Sequence, residues 1–310
     1  MKERRILVVG GAGYIGTILT QHLLNLGNQV TALDNLLYRH GFAVHGFLND
    51  PNYTFIFGDI RNPRQVSEAL QGVTDVVLLA ALVGDPVCKK YPDLARATNL
   101  EASVRLFDQL TGSGINRFIF ASTCSNYGLR DTEELASEDA PLNPVSLYAE
   151  TKVAMEHHIL ENLDRIDFSA TILRFATAYG FSRRMRFDLT VSEFVRALTL
   201  GDDLLVYDEN TWRPYCHVLD ISRAVHEVLE ADEEDVRGEI FNVGSPDENY
   251  TKKMIVDMAL SHGVPGRPSY REGGVDPRNY RVSTEKFRNR FDFKNDFVEA
   301  NKVRYVLLLE

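Results

Sequence analysis

Tyr148 and Lys152 stand four positions apart in Tyr148-Ala149-Glu150-Thr151-Lys152, the only Tyr-x-x-x-Lys spacing in the 310-residue chain. On a helix this spacing puts the phenol and the ammonium on one face. A free phenol, with a pKa of about 10, is protonated at neutral pH. Bringing it to about 7 takes about 4 kcal/mol, which a neighbouring ammonium and a second positive charge in a low-dielectric cleft can supply. The phenolate then removes a hydroxyl proton while hydride leaves the same carbon. That chemistry needs a hydride acceptor held close by.

The chain offers a cradle for one. Gly10, Gly13 and Gly16 recur every three positions between an apolar run at 6–9 and a helical pattern at 13–26. A side chain at Gly10 would block the tight turn. One at Gly13 would hold the backbone off a pyrophosphate, and one at Gly16 would push the helix away. The helix start offers unpaired N–H groups to the phosphates. Asp34 closes the next strand 21 positions after Gly13, where an acid binds both adenosine ribose hydroxyls and repels a 2′-phosphate. The spacing therefore reads as a dinucleotide site, for NAD and not NADP.

The elements that must position these residues alternate. Strand patterns at 6–9, 29–33, 53–57, 75–79, 117–121 and 169–173 are interleaved with helical patterns at 13–26, 63–71, 92–111 and 145–163. Such alternation implies right-handed crossovers and an α/β fold with a doubly wound parallel sheet. After residue 175 the segments shorten and arginines gather: Arg183, Arg184, Arg186, Arg213, Arg267, Arg271, Arg278 and Arg281. A helix–strand pair at 221–229 and 239–243 looks able to return to the sheet. The expected division is residues 1–175, with 218–244 returning to them, and a smaller lobe made mainly of 176–310.

Composition narrows the function. Hydrophobic residues at 44% and charged residues at 25% are those of an ordinary globular chain. The net charge of −10 argues against nucleic acid or an anionic membrane as partner. The longest apolar run, 76–83, falls far short of the roughly 20 residues of a membrane-spanning helix. The basic start followed by 6–9 breaks at Gly10-Gly11, too soon for a signal peptide. Cys88, Cys124 and Cys216 form no C-x-x-C pair, so neither disulfides nor a zinc knuckle is expected, and a reducing cytoplasm fits.

Taken together, Gly10-x-x-Gly13-x-x-Gly16, Asp34, Gly58-Asp59-Ile60, Leu79-Ala80-Ala81, Asn99, Ser122-Thr123 before Tyr127-Gly128, Tyr148-x-x-x-Lys152, the run 213–220 and Phe241-Asn242-Val243-Gly244 resemble the nucleotide-sugar epimerase/dehydratase family, extended short-chain dehydrogenases with a Rossmann-like domain and a smaller substrate lobe. The resemblance covers essentially the whole chain. It implies NAD contacts from Tyr14, Ile15, Asn35, Asp59, Ile60, Leu79, Ala80, Ala81, Asn99, Ser122 and Phe175, besides the glycines, Asp34, Tyr148 and Lys152. Thr123 would hold the reacting hydroxyl beside Tyr148. A nucleoside-diphosphate sugar is implied as substrate, contacted by Val83, Thr123, Thr177, Arg184, Arg186, Arg213 and Arg278, the last two matching the family's diphosphate positions best. Thr177 stands where many relatives carry asparagine. A homodimer through a four-helix bundle of the 92–111 and 145–163 helices is also implied.

The family's departures bear on outcome. Its 4,6-dehydratases place Asp-Glu directly after the threonine, whereas Cys124 and Ser125 stand here, neither a good general acid at neutral pH. Cys124 reads as a small buried filler, with a role as base for C3 or C5 epimerisation as the alternative. His217 reads as a structural partner within its motif. The expected function is epimerisation through transient oxidation at sugar C4. Segments 80–86, 184–189 and 276–280 also resemble a branch with nucleotide-sugar 4-dehydrogenases, which keeps that alternative open. A non-catalytic NAD-sensing regulator is remote, since both Tyr148 and Lys152 are present.

Overall fold

The runs rich in Val, Ile, Leu and Phe form the strands of one sheet. The computed structural model describes residues 4–297 apart from 275 and 277. Its first part runs β1 Arg5–Val9, α1 Tyr14–Asn25, β2 Gln29–Asp34, β3 Tyr53–Phe57, α2 Pro63–Ala69, β4 Asp75–Leu78, α3 Asp85–Lys90, α4 Pro92–Arg96, α5 Ala102–Leu110, β5 Arg117–Thr123, α6 Leu147–Glu161 and β6 Ser169–Phe175. The remainder adds β7 Thr177–Tyr179, α7 Thr190–Leu200, β8 Asp203–Tyr207, β9 Trp212–His217, α8 Val218–Glu230, α9 Glu233–Val236, β10 Ile240–Val243, β11 Asn249–Thr251, α10 Lys252–Ser261, β12 Arg267–Arg271 and α11 Glu285–Phe291.

Seven strands form an all-parallel sheet in the order β10-β6-β5-β4-β1-β2-β3. The chain reverses its direction of travel across the sheet between β1 and β4, and the crevice above such a switch point is where α/β sheets bind ligands. Leu19 and Leu23 of α1 and Ile221 and Val225 of α8 cover one face. Val66 of α2, Leu106 of α5 and Met155 and Ile159 of α6 cover the other. Burial on both faces explains the unbroken apolar runs of β1, β4 and β5. The returning strand expected near 239–243 is β10, paired with β6 from Ile240↔Ile172 to Val243↔Phe175.

The helix expected over 92–111 is not one regular rod. Between α4 and α5 lies a π turn, Ala97–Glu101, which buries Thr98 and Asn99. Wide turns of this kind often mark functional sites, and this one turns Asn99 toward the loop after β4. A second core, Val191, Phe194, Leu198, Val206 and Ile255 among others, packs α7 and α10 with β8. β7, β9 and β11 form a separate three-stranded sheet, and β8 and β12 a two-stranded one.

Candidate active site

The glycine loop is shaped by what surrounds it. Gly10 has φ +89°, and a Cβ there would lie 2.8 Å from the Ala80 amide nitrogen. A Cβ on Gly16 would collide with the Gly10 carbonyl and the Gly11 backbone, so Gly16 lets α1 lie close against the end of β1. Gly13 differs: its Cβ would meet only the Gly10 oxygen, at 3.1 Å, leaving its outer side open. Gly13 is also the N-cap of α1, and no side chain caps that end. First-turn N–H groups are thus available to an anion. This cradle fits a dinucleotide pyrophosphate.

Asp34 sits at the mouth of β2. Its carboxylate accepts from the Ala12 amide at 3.1 Å and the Leu36 amide at 2.8 Å, with His40 Nε2 3.7 Å away. Burial raises the Asp34 pKa, while those amides and the nearby His40 and Arg184 charges oppose the rise. Asn35 donates to Asp59 at 2.9 Å. The Arg61 fork on Asp59, at 2.9 and 2.7 Å, is the main reason its pKa is pulled down to about 2. The Ile60 side chain is buried in the core with Leu33 and Val66.

Across the switch point, the Leu79 and Ala80 amides both donate to the Val9 carbonyl. Asn99 holds the next stretch from behind, accepting from the Leu82 amide at 2.8 Å and donating to the Leu82 carbonyl at 3.0 Å. Both ends of its amide are thus spent on shaping the loop. Ala81 and Val83 pack with Leu82, Cys88, Leu147 and Tyr148.

Tyr148 and Lys152 share the buried face of α6, whose start is capped by Ser146. The Lys152 Nζ donates to the Ala121 carbonyl at 2.6 Å and lies 4.6 Å from the centre of the Phe120 ring. Burial pushes Lys152 down to about 7. Burial also drives Tyr148 well above the ordinary phenol range, against the pull of Arg186, a Thr123 hydrogen bond and Arg278. The protein's own groups therefore keep the phenol protonated. Desolvation outweighs the cations around it, and the expected phenolate requires positive charge brought by a bound ligand. Thr123 ends β5 directly opposite Phe175 on β6.

Beneath this pair lies a network absent from the sequence reading. Arg174 and Glu156, 3% and 1% exposed, pair at 2.7 Å. Glu156 also accepts from Asn126 and from the Ser122 hydroxyl, which points that hydroxyl away from the cleft. Two charges inside apolar β6 and on the inner face of α6 were the available signal. Cys124 is 1% exposed, with Sγ 3.2 Å from the Arg174 carbonyl, and burial drives its thiol far above the ordinary range. This burial fits the small core filler expected from the sequence. His217 caps α8 through the Leu219 amide, and burial lowers it to about 4.

The arginines divide. Arg213 and Arg278 share Asp276, at 2.9 and 2.8 Å, and Arg278 reaches Asp85 at 3.1 Å and the Ser125 hydroxyl at 3.4 Å. Arg213 lies over the Tyr280 ring. Asp85 and Asp276, missed from sequence, hold this pair in place. Arg186 is forked on Asp188 near Gly84. Arg184 keeps other company: its guanidinium lies 4.7 Å over the Tyr38 ring, close to Asp34. Thr177 is half-buried and pairs with Tyr215.

Among the described residues no His/Cys/Asp/Glu cluster suits a metal ion, and no helix is long and apolar enough to cross a membrane. A family model for the NAD dependent epimerase/dehydratase family matches residues 6–244. The chain is 29% identical over 317 residues to a UDP-glucose 4-epimerase of Corynebacterium glutamicum, covering 96% of this chain and 93% of that protein. It superposes on a Thermus thermophilus UDP-glucose 4-epimerase in complex with NAD with a TM-score of 0.85, at 25% identity and 97% coverage of both chains. It is also similar to DesIV, a dTDP-glucose 4,6-dehydratase of Streptomyces venezuelae with NAD and TYD bound, with a TM-score of 0.86, 26% identity, and coverage of 97% and 95%.

Proposed function

The chain belongs to the NAD dependent epimerase/dehydratase family, and from that premise we propose that it inverts C4 of a nucleoside-diphosphate sugar. The carrying observation is that the Tyr148 and Thr123 hydroxyls meet at the cleft while the two positions after Thr123 offer only a buried thiol and a serine. Oxidation at C4 is provided for, and an acid–base pair for water loss is not. Held by the Gly10–Gly16 turn and Asp34, NAD would supply the acceptor and later the donor of the C4 hydride.

The chain's residues do the rest. The Tyr148 oxygen takes the C4 hydroxyl proton as the C4–O bond becomes a carbonyl, and returns it once the other face of that carbonyl is presented. Thr123 orients the hydroxyl. Lys152, fixed by Ala121 and balanced near neutrality by burial, steadies the phenolate. Asp34 takes the adenosine ribose, with Asn35, Asp59 and Ile60 beside the adenine. The Gly10–Gly13–Gly16 turn and the amides of Tyr14 and Ile15 take the pyrophosphate. Leu79, Ala80, Ala81 and Phe175 wall the cleft. Arg213 and Arg278 exchange their shared carboxylate for the sugar diphosphate, whose oxygens suit the guanidinium fork. Val83 and Thr177 line the sugar side.

We assign NAD to residues 1–175 with 218–244, and the sugar nucleotide mainly to 176–310, of which 298–310 lie outside the described residues; the pairing of β10 with β6 supports this. A homodimer through α5 and α6 is supported by these helices lying side by side, joined by His158 on Asp108. A cytoplasmic location is supported by three buried free thiols. The test is a panel of nucleotide sugars followed by NMR and by absorbance of reduced cofactor. A 4-epimer appearing at constant redox state is expected. Sustained reduction without a new isomer would make the protein a 4-dehydrogenase.

A further inference from the structure

Residues 180–188 leave the sheet toward the second lobe, where Phe187 meets Arg196, yet they also hold the first. The Tyr14 hydroxyl donates to the Gly180 carbonyl at 2.5 Å, and Ser182 Oγ donates to the Tyr14 carbonyl at 2.7 Å, with Thr17 Oγ1 3.0 Å away. Thr17 and Ser182 are fully buried, so water does not compete for this seam. Arg183 reaches Gln21 on α1 at 3.3 Å and lies 4.9 Å over the Phe47 ring. Arg184 covers Tyr38. The segment is stitched both to the helix that offers the phosphate cradle and to the loop after Asp34.

The surface beneath Arg184 is equipped for a ligand. Tyr38 is 48% exposed, and its ring stands 6.2 Å from that of His40, which is 5% exposed and 3.7 Å from the Asp34 carboxylate. Neither ring nitrogen of His40 has a hydrogen-bond partner, an uncommon state for a buried imidazole. Asp34, Tyr38, His40 and Arg184 thus bring an exposed ring, a carboxylate and a guanidinium together at the end of β2.

We propose that residues 180–188 are a clasp on the dinucleotide, with Arg184 and Tyr38 closing over its adenosine, so that Arg184 is a cofactor residue and not a sugar-diphosphate residue. The inference rests on the NAD assignment above. An epimerase recovers oxidised NAD in every turnover and has no need to release it. A clasp that slows release therefore suits an epimerase and would hinder a dehydrogenase that must exchange cofactor.

The test measures NAD leaving the purified holoenzyme, trapped by excess alcohol dehydrogenase with ethanol, in wild type and in R184A, Y38A and R278A. Loss of one cation–π contact predicts roughly three- to thirtyfold faster release for R184A and Y38A, with Michaelis constants for the sugar nucleotide unchanged. R278A is expected to raise that constant and leave release alone. Y38A alters an exposed side chain, so faster release there cannot be put down to misfolding. If R184A releases NAD at the wild-type rate and instead binds the sugar nucleotide more weakly, the clasp is refuted. Accelerated release in a protein that converts no sugar would leave the clasp standing and remove the epimerase reading.

Discussion

The Lys152 ammonium stands 5.9 Å from the centre of the Tyr148 ring, and its 2.6 Å hydrogen bond goes to the Ala121 carbonyl. Both groups are buried by the same cleft walls, which raise the tyrosine and lower the lysine. Each is thereby held closest to its neutral form until a charged ligand enters.

Tyr148→Phe should cut turnover by about 10²–10⁴-fold, the usual worth of a positioned proton-transfer group, and leave NAD bound. Kinetics with cofactor counted by absorbance check this. Normal turnover would remove Tyr148 as the base.

Lys152→Met should be inactive yet more stable at low pH. The native lysine has a pKa of about 7 against 10.5 when unfolded. Between these values the unfolded chain holds the extra proton, so burying the lysine costs less as pH rises. Below about 7 the cost is complete, on the order of 5 kcal/mol. The melting temperature of the variant should exceed that of wild type at pH 6, and the gap should narrow by pH 9. A gap that widens with pH would contradict the assignment.

Glu156→Ala leaves the Arg174 guanidinium buried without its carboxylate. A loss of about 3–5 kcal/mol is expected in denaturant unfolding, although neither residue touches the substrate. A change below about 1 kcal/mol would show that the pair does little for the fold.

Cys124→Ala should retain turnover within about twofold and lose about 1–2 kcal/mol of stability. An inactive but folded variant would return Cys124 to consideration as a base.

Gly13→Ala and Gly16→Ala should separate binding from folding. The first meets only one oxygen at 3.1 Å and should fold while losing NAD affinity. The second strikes the backbone of Gly10 and Gly11 and should lower the melting temperature as well. Equal stability of the two variants would contradict the loop geometry.

The alternation of strands and helices, the glycine turn, Asp34 and the Tyr148–Lys152 face were legible in the residues because each depends on local spacing. Apolar runs of period suited to buried strands, and a four-residue step on a helix, carry their geometry with them. The return of β10 was legible for the same reason. The break of the 92–111 helix was not, because the π turn at Asn99 answers to the Leu82 backbone, seventeen positions away.

What the sequence determined by itself was the kind of chemistry, an oxidising cleft with a phenol and a dinucleotide, since residue types and short spacings suffice for that. What only the tertiary structure decided was which charges face which groups. It drew Arg184 to Tyr38 and Asp34, set Arg213 and Arg278 on Asp276, and turned Ser122 and Glu156 inward. The physical reason is that burial and charge pairing depend on distances through space, and those arise only when segments far apart in the chain pack together.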